Sequence, residues 1–464
     1  MLFSARTHVP AKHLNFFVAF TLLAAGNALA LESVPKPEYR QRRIALSEKL
    51  QGGAALVFAA EEISPDFMPF RQDADFYYLS GWNEPGAALL VIGPGPATIT
   101  RLGTPVSAHA YREILFLPAR NLVTEKYTGI KMDAATAGVT GATGFDAVLP
   151  MTALPEVLTA FIVEDPLRAT FLWSQMDLPA AKGAMAFVTA ALGASAPLPD
   201  KNIRTLTRDL RSVKSPAEIE LIRKATDASI AAQRAGIRAI EPGVRERTIA
   251  GIEIESMMAE GCERPSYSPI VGSGINSSTL HYNSNENVMK SGDVVVIDAA
   301  GEFSMYASDI TRTMPINGKF TPRQREIYEI VLGAQRAAAA AFIAGKSKLG
   351  GIAQRGPEVT DSLDKVAFDY INTHGKDLRG EPLGKYFLHS LGHSVGIDVH
   401  DPMDYTKPLD KGMVFTIEPG IYIPEEKIGV RIEDVFYVDS DGKLVDLVEQ
   451  LPHDAGDVES AMRR

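Results

Sequence analysis

Four acidic residues stand at the borders of short apolar runs, where an isolated carboxylate is unfavourable. They are Asp298, Asp309, Glu418 and Glu433. Asp298 and Glu418 each end a run of four apolar or small residues, and Glu433 precedes another run. A carboxylate in apolar surroundings costs free energy unless a charge or hydrogen bonds compensate it. We interpret residues 301–303 as a turn, so that an antiparallel hairpin would bring Asp298 and Asp309 side by side.

Carboxylates that share one site cannot all ionise without a compensating cation. A pair of divalent ions roughly 3.5–4 Å apart supplies this compensation and also activates a water for attack on a carbonyl group. Nearby histidines fit the same chemistry, namely His281, His389, His393 and His400. Any one of these residues alone is more typical of a helix cap or a surface charge. On spacing alone, a metal site and an unrelated set of polar residues both remain open interpretations.

The elements that would position these residues fall into two parts, for which 464 residues are sufficient. Residues 31–208 interleave short apolar runs, at 54–59 and 87–92, with a helical stretch at 150–164, which predicts an α/β domain. The next helix has a clear beginning. Ser215 is suited to the N-cap, Pro216 to the first turn, and Glu218 completes a capping box.

Residues 209–455 predict an α+β domain in which helices cover a sheet. Three helices are expected, at 216–240, 244–260 and 322–344. Strands are expected at 293–299, 306–314, 413–423 and 434–438, and Asp441-Gly442 is a hairpin-turn signal. Residues 456–464 would form a C-terminal tail.

With these residues placed, the chain resembles the pita-bread metallopeptidases that carry a creatinase/aminopeptidase P-like N-terminal domain, and specifically the aminopeptidase P family. The matching motifs are long, ordered and spread over nearly the whole chain. They comprise residues 71–78, 81–85, 265–267, 270–274, 280–282, 298, 307–313, 389–393, 398–401, 416–420 and 430–434.

The resemblance implies a role for each candidate residue. Asp298 would bind one metal ion, His393 and Glu418 the other, while Asp309 and Glu433 bridge both. The remaining catalytic assignments go to His281 and His400 for contacts with the substrate and the reacting carbonyl, to His389 for the proline side, to Glu418 for proton transfer and to Arg431 for support of Glu433.

The implied activity is removal of an N-terminal residue that precedes proline, with a hydroxide between the two ions as the nucleophile. The implied partners are therefore peptides with proline at the second position. Family usage favours Mn²⁺, although an oxygen-rich ligand set also admits Co²⁺, Fe²⁺ or Zn²⁺. The same resemblance implies a homo-oligomer, either a dimer or a tetramer.

Three other functions are compatible with parts of the pattern. Prolidase, which cleaves Xaa-Pro dipeptides, shares the ligand set. A non-catalytic binding module could retain the pita-bread fold, although the complete ligand set argues against it. Residues 392–396 also match G-x-S-x-G, the motif of a serine hydrolase with Ser394 as nucleophile. Proline residues soon after Ser394 disfavour the helix that this motif requires.

The N-terminus has the pattern of an export signal. Arg6 and Lys12 precede an apolar run at 16–25, and Ala28-Leu29-Ala30 is a small-x-small cleavage site. We expect cleavage after Ala30, a periplasmic or secreted protein and no stable membrane insertion; an uncleaved anchor is the alternative. The single cysteine precludes an internal disulfide. A formal charge of -10 without a basic run disfavours nucleic acid as a partner.

Overall fold

The computed structural model describes residues 32–62, 70–94, 112–164, 166–193 and 201–463. The expected signal segment at 1–30 lies outside these residues. Among the residues described, no helix combines the length and the apolar character that crossing a bilayer requires.

The N-terminal part contains one mixed five-stranded sheet with the strand order β4-β3-β2-β1-β5. Its strands are β1 (Ala54–Phe58), β2 (Ala88–Ile92), β3 (Arg112–Leu117), β4 (Ala147–Pro150) and β5 (Leu172–Trp173). Its helices are α1 (Lys36–Lys49), α2 (Ala74–Ser80), α3 (Glu125–Thr128), α4 (Val139–Thr143), α5 (Leu154–Glu164), α6 (Pro166–Ala169), α7 (Pro179–Ala191) and α8 (Arg204–Arg211). The expected α/β character of this part is confirmed.

The continuous apolar runs of β1 and β2 are buried over their full length. Side chains of β1, β2 and β3 pack against α5 and α7 in one apolar core. The helix expected from residue 150 begins later, because Pro150 ends β4 and a 3-10 turn at Met151–Ala153 precedes α5. The apolar patterning therefore predicts the strands better than it predicts the start of this helix.

The C-terminal part consists of short paired strands with long helices packed on them. Its helices are α9 (Pro216–Ala239), α10 (Glu246–Ala259), α11 (Pro322–Ala341), α12 (Leu363–His374) and α13 (Ala455–Ala461). Its strands are β6 (Arg264–Pro265), β7 (Ile270–Ser273), β8 (Val294–Asp298), β9 (Gly301–Phe303), β10 (Tyr306–Ala307), β11 (Thr311–Pro315), β12 (Val414–Ile417), β13 (Gly420–Ile423), β14 (Ile428–Arg431), β15 (Asp434–Val438) and β16 (Leu444–Asp446). This is the expected α+β arrangement.

Antiparallel pairing brings the expected acidic segments together. Strand β8 lies between β7 and β11, with Asp298 opposite Thr311. Strand β12 pairs with β15, and β13 pairs with β14. The two long strands predicted at 306–314 and 413–423 are each two shorter strands in the structure. The first break contains Asp309 and the second contains Glu418.

The turn between Asp298 and Asp309 differs from the expectation. Residues 301–303 form β9, which pairs with β10, and the turn is made by Ser304 and Met305. Both turn residues have positive φ values, of 51° and 72°. Positive φ at both central residues matches a two-residue hairpin turn. Because Gly or Asn usually marks such a turn, its position was not evident from the sequence.

Helix α9 begins as predicted. The Ser215 side chain accepts a hydrogen bond from the Glu218 backbone, and Glu218 completes the capping box. Thr321 and Gln324 form the same arrangement at the start of α11. At the other end of the chain, the segment expected as a tail contains α13, whose Val458 side chain is buried.

Salt bridges connect the N-terminal part to the loop after His393. Arg71 contacts Glu302 and Asp398, at 2.7 and 3.3 Å. Arg211 of α8 contacts Asp398 and Asp401, at 2.7 and 2.6 Å. The loop that carries His400 is therefore held by charges from outside the C-terminal strands.

The buried strand β1 gives a direct test of the N-terminal core. Leu56 is fully buried in β1, so Leu56→Ala removes apolar contacts and leaves a cavity. We expect a loss of about 2–5 kcal/mol in the free energy of unfolding. The matched control is Leu122→Ala at a side chain that is 70% exposed, for which we expect a change within about 0.5 kcal/mol. Chemical denaturation measures both, and equal losses would contradict this assignment of the core.

Candidate metal centre

The five candidate metal ligands converge because their strands end at one place. Asp298 is the last residue of β8, and Asp309 lies just before β11. Glu418 follows β12 directly, while Glu433 lies between β14 and β15. An isolated bridge pairs Thr311 with Glu433, which joins the β8–β11 pairing to the second group of strands.

His393 stands at the centre of this group. Its Nε2 atom lies 3.3 Å from Asp309 Oδ2, 3.4 Å from Glu418 Oε1 and 3.9 Å from Glu433 Oε1. Potential ligand atoms of Asp309, His393 and Glu433 all lie within 4.8 Å of one another. All five candidates, including Asp298, line one cavity of about 920 Å³. The arrangement predicted from the sequence is therefore present as a compact cluster.

Neighbouring hydroxyl groups fix two of the carboxylates. The Tyr267 hydroxyl donates to Asp309 Oδ1 at 2.6 Å. The Thr311 hydroxyl donates to Glu433 Oε2, also at 2.6 Å. In each carboxylate the oxygen that does not accept from the hydroxyl is the one nearer to His393, namely Asp309 Oδ2 and Glu433 Oε1.

Arg431 is a fully enclosed cation within the group. Its guanidinium donates to Asp298 Oδ2, to the Thr311 hydroxyl and to the Tyr422 hydroxyl. The distance from Arg431 Nε to Glu433 Oε2 is 4.0 Å. The support of Glu433 expected from Arg431 is therefore indirect, through Thr311, and the direct partner of Arg431 is Asp298.

The pKa values of these groups show that one arginine does not balance the charges. Burial and the nearby Asp309 carboxylate raise the pKa of Glu433 well above its usual value. Burial raises the pKa of Glu418 to about 7, with Asp309 adding to this effect. For His393, burial lowers the pKa, but the contacts with Asp309 and Glu418 outweigh burial and raise it to about 9. Protein groups alone therefore keep protons in a site rich in carboxylates.

The donor set fits divalent cations. Asp298 Oδ1 is buried and has no hydrogen-bond partner among the residues described. Carboxylate oxygens with a single imidazole suit hard or borderline divalent ions. Cations at this place would satisfy the orphaned oxygen and remove the repulsion among the acids. The residues present thus match a metal site on their own chemistry.

A second acidic cluster differs from the candidate metal centre because it contains an arginine. Asp434, Asp446 and His453 also offer ligand atoms within 4.8 Å of one another. Here the buried guanidinium of Arg312 lies 2.7 Å from Asp434 and 2.9 Å from His453 Nε2. This cluster already contains its cation, so it has no comparable need for a metal ion.

The other three histidines lie around the metal ligands on the same cavity wall. His281 is exposed, and the His400 ring lies 4.0 Å from the His393 ring. His389 Nε2 is 2.8 Å from the Tyr422 hydroxyl. Burial, followed by the charge of Arg431, lowers the pKa of His389 to about 3, so this ring is neutral.

Three site residues were not singled out as functional from the sequence, namely Tyr267, Thr311 and Tyr422. Thr311 lies two residues after Asp309, and Tyr422 lies in the strand that pairs with β14 and Arg431. Tyr267 falls within a matching motif but had no assigned role. Their roles depend on the strand register, which could not be predicted from the sequence alone.

The structure removes the alternative of a serine nucleophile. Ser394 is fully buried, and its hydroxyl accepts a hydrogen bond from Lys214 at 3.1 Å. Residues 395–403 follow it without forming a helix. The strand–turn–helix context that exposes a nucleophilic serine is therefore missing.

Comparison with known proteins agrees with this geometry. Residues 220–440 match the model for metallopeptidase family M24, and residues 39–167 match that for the aminopeptidase P N-terminal domain. The Xaa-Pro aminopeptidase of Escherichia coli K12 is 33% identical over 445 residues, which cover 89% of this chain and 94% of that protein. A Pyrococcus furiosus Xaa-Pro dipeptidase is 40% identical over 247 residues, covering 52% of this chain and 65% of that protein.

A solved structure of zinc-substituted E. coli aminopeptidase P in complex with product gives a TM-score of 0.78 at 30% identity. The match covers 93% of this chain and all of that one, 100%. Family models, relatives and fold thus agree with a pita-bread catalytic domain behind an aminopeptidase P-type N-terminal domain. The chain therefore belongs to the aminopeptidase P family of metallopeptidases and is a metal-dependent hydrolase of peptides.

Proposed function

We propose that this protein removes the N-terminal residue from peptides in which proline follows, using two divalent cations held by Asp298, Asp309, His393, Glu418 and Glu433. The observation that carries the proposal is the cluster of these five side chains on one cavity, where Arg431 is the only arginine or lysine among the described residues that directly contacts a carboxylate of the set. One fixed cation among four carboxylates leaves charge to be compensated.

The position of each side chain supports the ligand assignment that the family resemblance implies. Asp309 and Glu433 each turn one oxygen toward His393 and have the other held by a hydroxyl, which suits carboxylates shared between two ions. Asp298 lies on the Arg431 side and would serve one ion, whereas His393 and Glu418 would serve the other. The oxygen-rich set and the family resemblance support Mn²⁺ as the metal. When bound, such a pair activates a water and polarises a carbonyl group.

The chain's own residues would bind the peptide and move its protons. Glu418 is part-exposed to the cavity, and burial brings the pKa of its carboxyl to about 7, which suits a group that accepts and returns a proton. His281 and His400, both exposed on the cavity wall, would steady the developing oxyanion. His389 would lie on the proline side. The bond before proline offers no N–H, so recognition rests on the ring and the carbonyl.

Metal removal tests the ligand assignments. Exhaustive chelation should abolish hydrolysis of an Xaa-Pro-Xaa peptide, and added Mn²⁺ should restore it. Glu433→Ala should lose bound metal, because it removes a carboxylate that would hold the ions. His281→Ala is the matched control in the same cavity and should retain metal while turnover falls by about 10²-fold or more, as expected for loss of an oxyanion donor. Metal content is measured by elemental analysis after gel filtration. Full activity after chelation would rule out the metal mechanism.

Peptide length separates this activity from that of prolidase. The match of residues 39–167 to the aminopeptidase P N-terminal domain supports the aminopeptidase, whereas the dipeptidase relative matches only about half of the chain. We expect cleavage of Xaa-Pro-Xaa tripeptides and longer peptides, measured by release of the first amino acid at fixed Mn²⁺. The same assay with Xaa-Pro dipeptides is the comparison. Exclusive cleavage of dipeptides would assign the protein as a prolidase, and cleavage of neither would favour a binding module.

Export and assembly complete the proposal. The charged start, the apolar run at 16–25 and the Ala28-Leu29-Ala30 site support a signal peptide and a periplasmic or secreted protein. We expect the mature chain, isolated from the exported fraction, to begin at Leu31 when its N-terminus is sequenced. An intact N-terminus in the membrane fraction would instead indicate an anchor. The family resemblance supports a homo-oligomer, which light scattering would identify as a dimer or a tetramer.

A further inference from the structure

Two buried glutamines, Gln233 of α9 and Gln335 of α11, each bind the backbone beside a pair of the candidate ligands. Gln233 is fully buried and Gln335 is 3% exposed. Neither lines the cavity of the candidate metal centre. Both use the same group, the side-chain amide nitrogen, which carries two N–H donors.

Gln233 holds the segment of the two aspartates. Its Nε2 donates to the carbonyl oxygens of Ala299, at 3.2 Å, and of Ile310, at 3.1 Å. Ala299 directly follows Asp298, and Ile310 directly follows Asp309. The Ala299 N–H also donates to Ile310 at 3.2 Å, so these two backbones are already adjacent. Gln233 therefore fixes the two aspartates relative to each other and to α9.

Gln335 holds the segment of the two glutamates in the same way. Its Nε2 lies 3.1 Å from the carbonyl oxygen of Ile417 and 3.5 Å from that of Ile432. Ile417 directly precedes Glu418, and Ile432 directly precedes Glu433. A third contact, at 2.7 Å, joins Gln335 to the Asp434 carboxylate. The two glutamates are thus fastened to α11 as the two aspartates are fastened to α9.

We propose that Gln233 and Gln335 are paired positioning residues that set the separation of the four carboxylates and thereby the affinity of the site for divalent cations. This inference rests on the proposed function, since it assumes that these carboxylates bind metal. Neither glutamine would touch the metal or the peptide. Each acts through the backbone next to two ligands.

Without a cation the four carboxylates repel one another, since oxygens of Asp309, Glu418 and Glu433 all lie within 3.9 Å of one atom, His393 Nε2. The regular strand ladders stop at the site, since β8 ends at Asp298 and β12 ends one residue before Glu418, and beyond them the segments are held by isolated backbone hydrogen bonds such as that from Ala299 to Ile310. The Gln233 amide joins both carbonyls of the aspartate pair to α9. The two N–H donors of Gln335 are shared among Asp434, Ile417 and, at the longest distance, Ile432, which joins the glutamate pair to α11. Partners of this kind typically change metal affinity by about 10–100-fold when removed.

A purely structural role is the competing explanation, since any buried carbonyl needs a donor. Gln175 of the N-terminal part provides the matched control. It is fully buried, and its amide also binds backbone, through contacts of 2.8 Å with the Phe58 N–H and carbonyl groups. A substitution there removes equivalent hydrogen bonds far along the chain from the metal ligands.

The test compares Gln233→Met and Gln335→Met with Gln175→Met in the full-length mature protein. Methionine keeps the length of the side chain and removes both donors. Mn²⁺ binding to the metal-free proteins is followed by the electron paramagnetic resonance signal of free Mn²⁺, and their melting temperatures are recorded without metal. We expect the dissociation constants of the first two variants to rise by about 10-fold or more, while that of Gln175→Met stays within roughly threefold of the wild type.

The outcomes separate the inference from the function on which it rests. Wild-type protein that binds no Mn²⁺ would refute the proposed metal site. Wild-type binding with constants within roughly threefold for both site variants, or an equal weakening in Gln175→Met, would refute the role of the glutamines alone. Should Gln335→Met fail to fold because it also loses Asp434, Gln233→Asn, which retains a shortened amide, tests the same prediction at the other pair.

Discussion

The repulsion among four buried carboxylates is the constraint around which the catalytic part is organised. Strands that end at one place bring the acids together, and the ends of these strands are otherwise apolar. Arg431 compensates Asp298, and two hydroxyl groups each hold one oxygen of Asp309 and Glu433. The remaining excess of negative charge is what a pair of divalent cations would neutralise. Through Gln233 and Gln335, helices α9 and α11 then hold the backbone beside the four acids against their mutual repulsion.

The same constraint explains the difference between the two acidic clusters. Burial raises the pKa of Asp434, but the adjacent guanidinium of Arg312 outweighs burial and the pKa falls to about 2, so this carboxylate is ionised. Glu433, one residue earlier, has no guanidinium nearer than the 4.0 Å to Arg431, and burial and neighbouring carboxylates raise its pKa. The pKa values of two adjacent residues are thus shifted in opposite directions because one carboxylate faces a guanidinium and the other faces carboxylates. Position in the strand register, rather than residue type, decides which acid is free for a metal.

The sequence predicted the main elements and the position of two acids for a physical reason, whereas the set of five ligands was implied by the family resemblance. Acids at the borders of apolar runs are costly, so Asp298 and Glu418 were recognisable before any geometry was known. The capping box at Ser215 likewise located α9 correctly. Contacts that depend on the strand register could not be predicted from the sequence. The turn at Ser304 and Met305 lacks its usual residue types, and the direct pairing of Arg431 with Asp298 follows only from how β14 lies beside β8.

The raised pKa values give the metal-free protein a further property. Burial and neighbouring carboxylates raise the pKa of Glu433 and so favour its protonated form relative to a solvated carboxyl group, and His393 with a pKa of about 9 carries its proton at neutral pH. Ligand atoms must lose these protons before they can coordinate a cation. Loading the centre is therefore an exchange of protons for metal, and acidic surroundings oppose it. A protein of this kind would acquire its ions most readily where the medium is neutral or alkaline, and would surrender them as the medium is acidified.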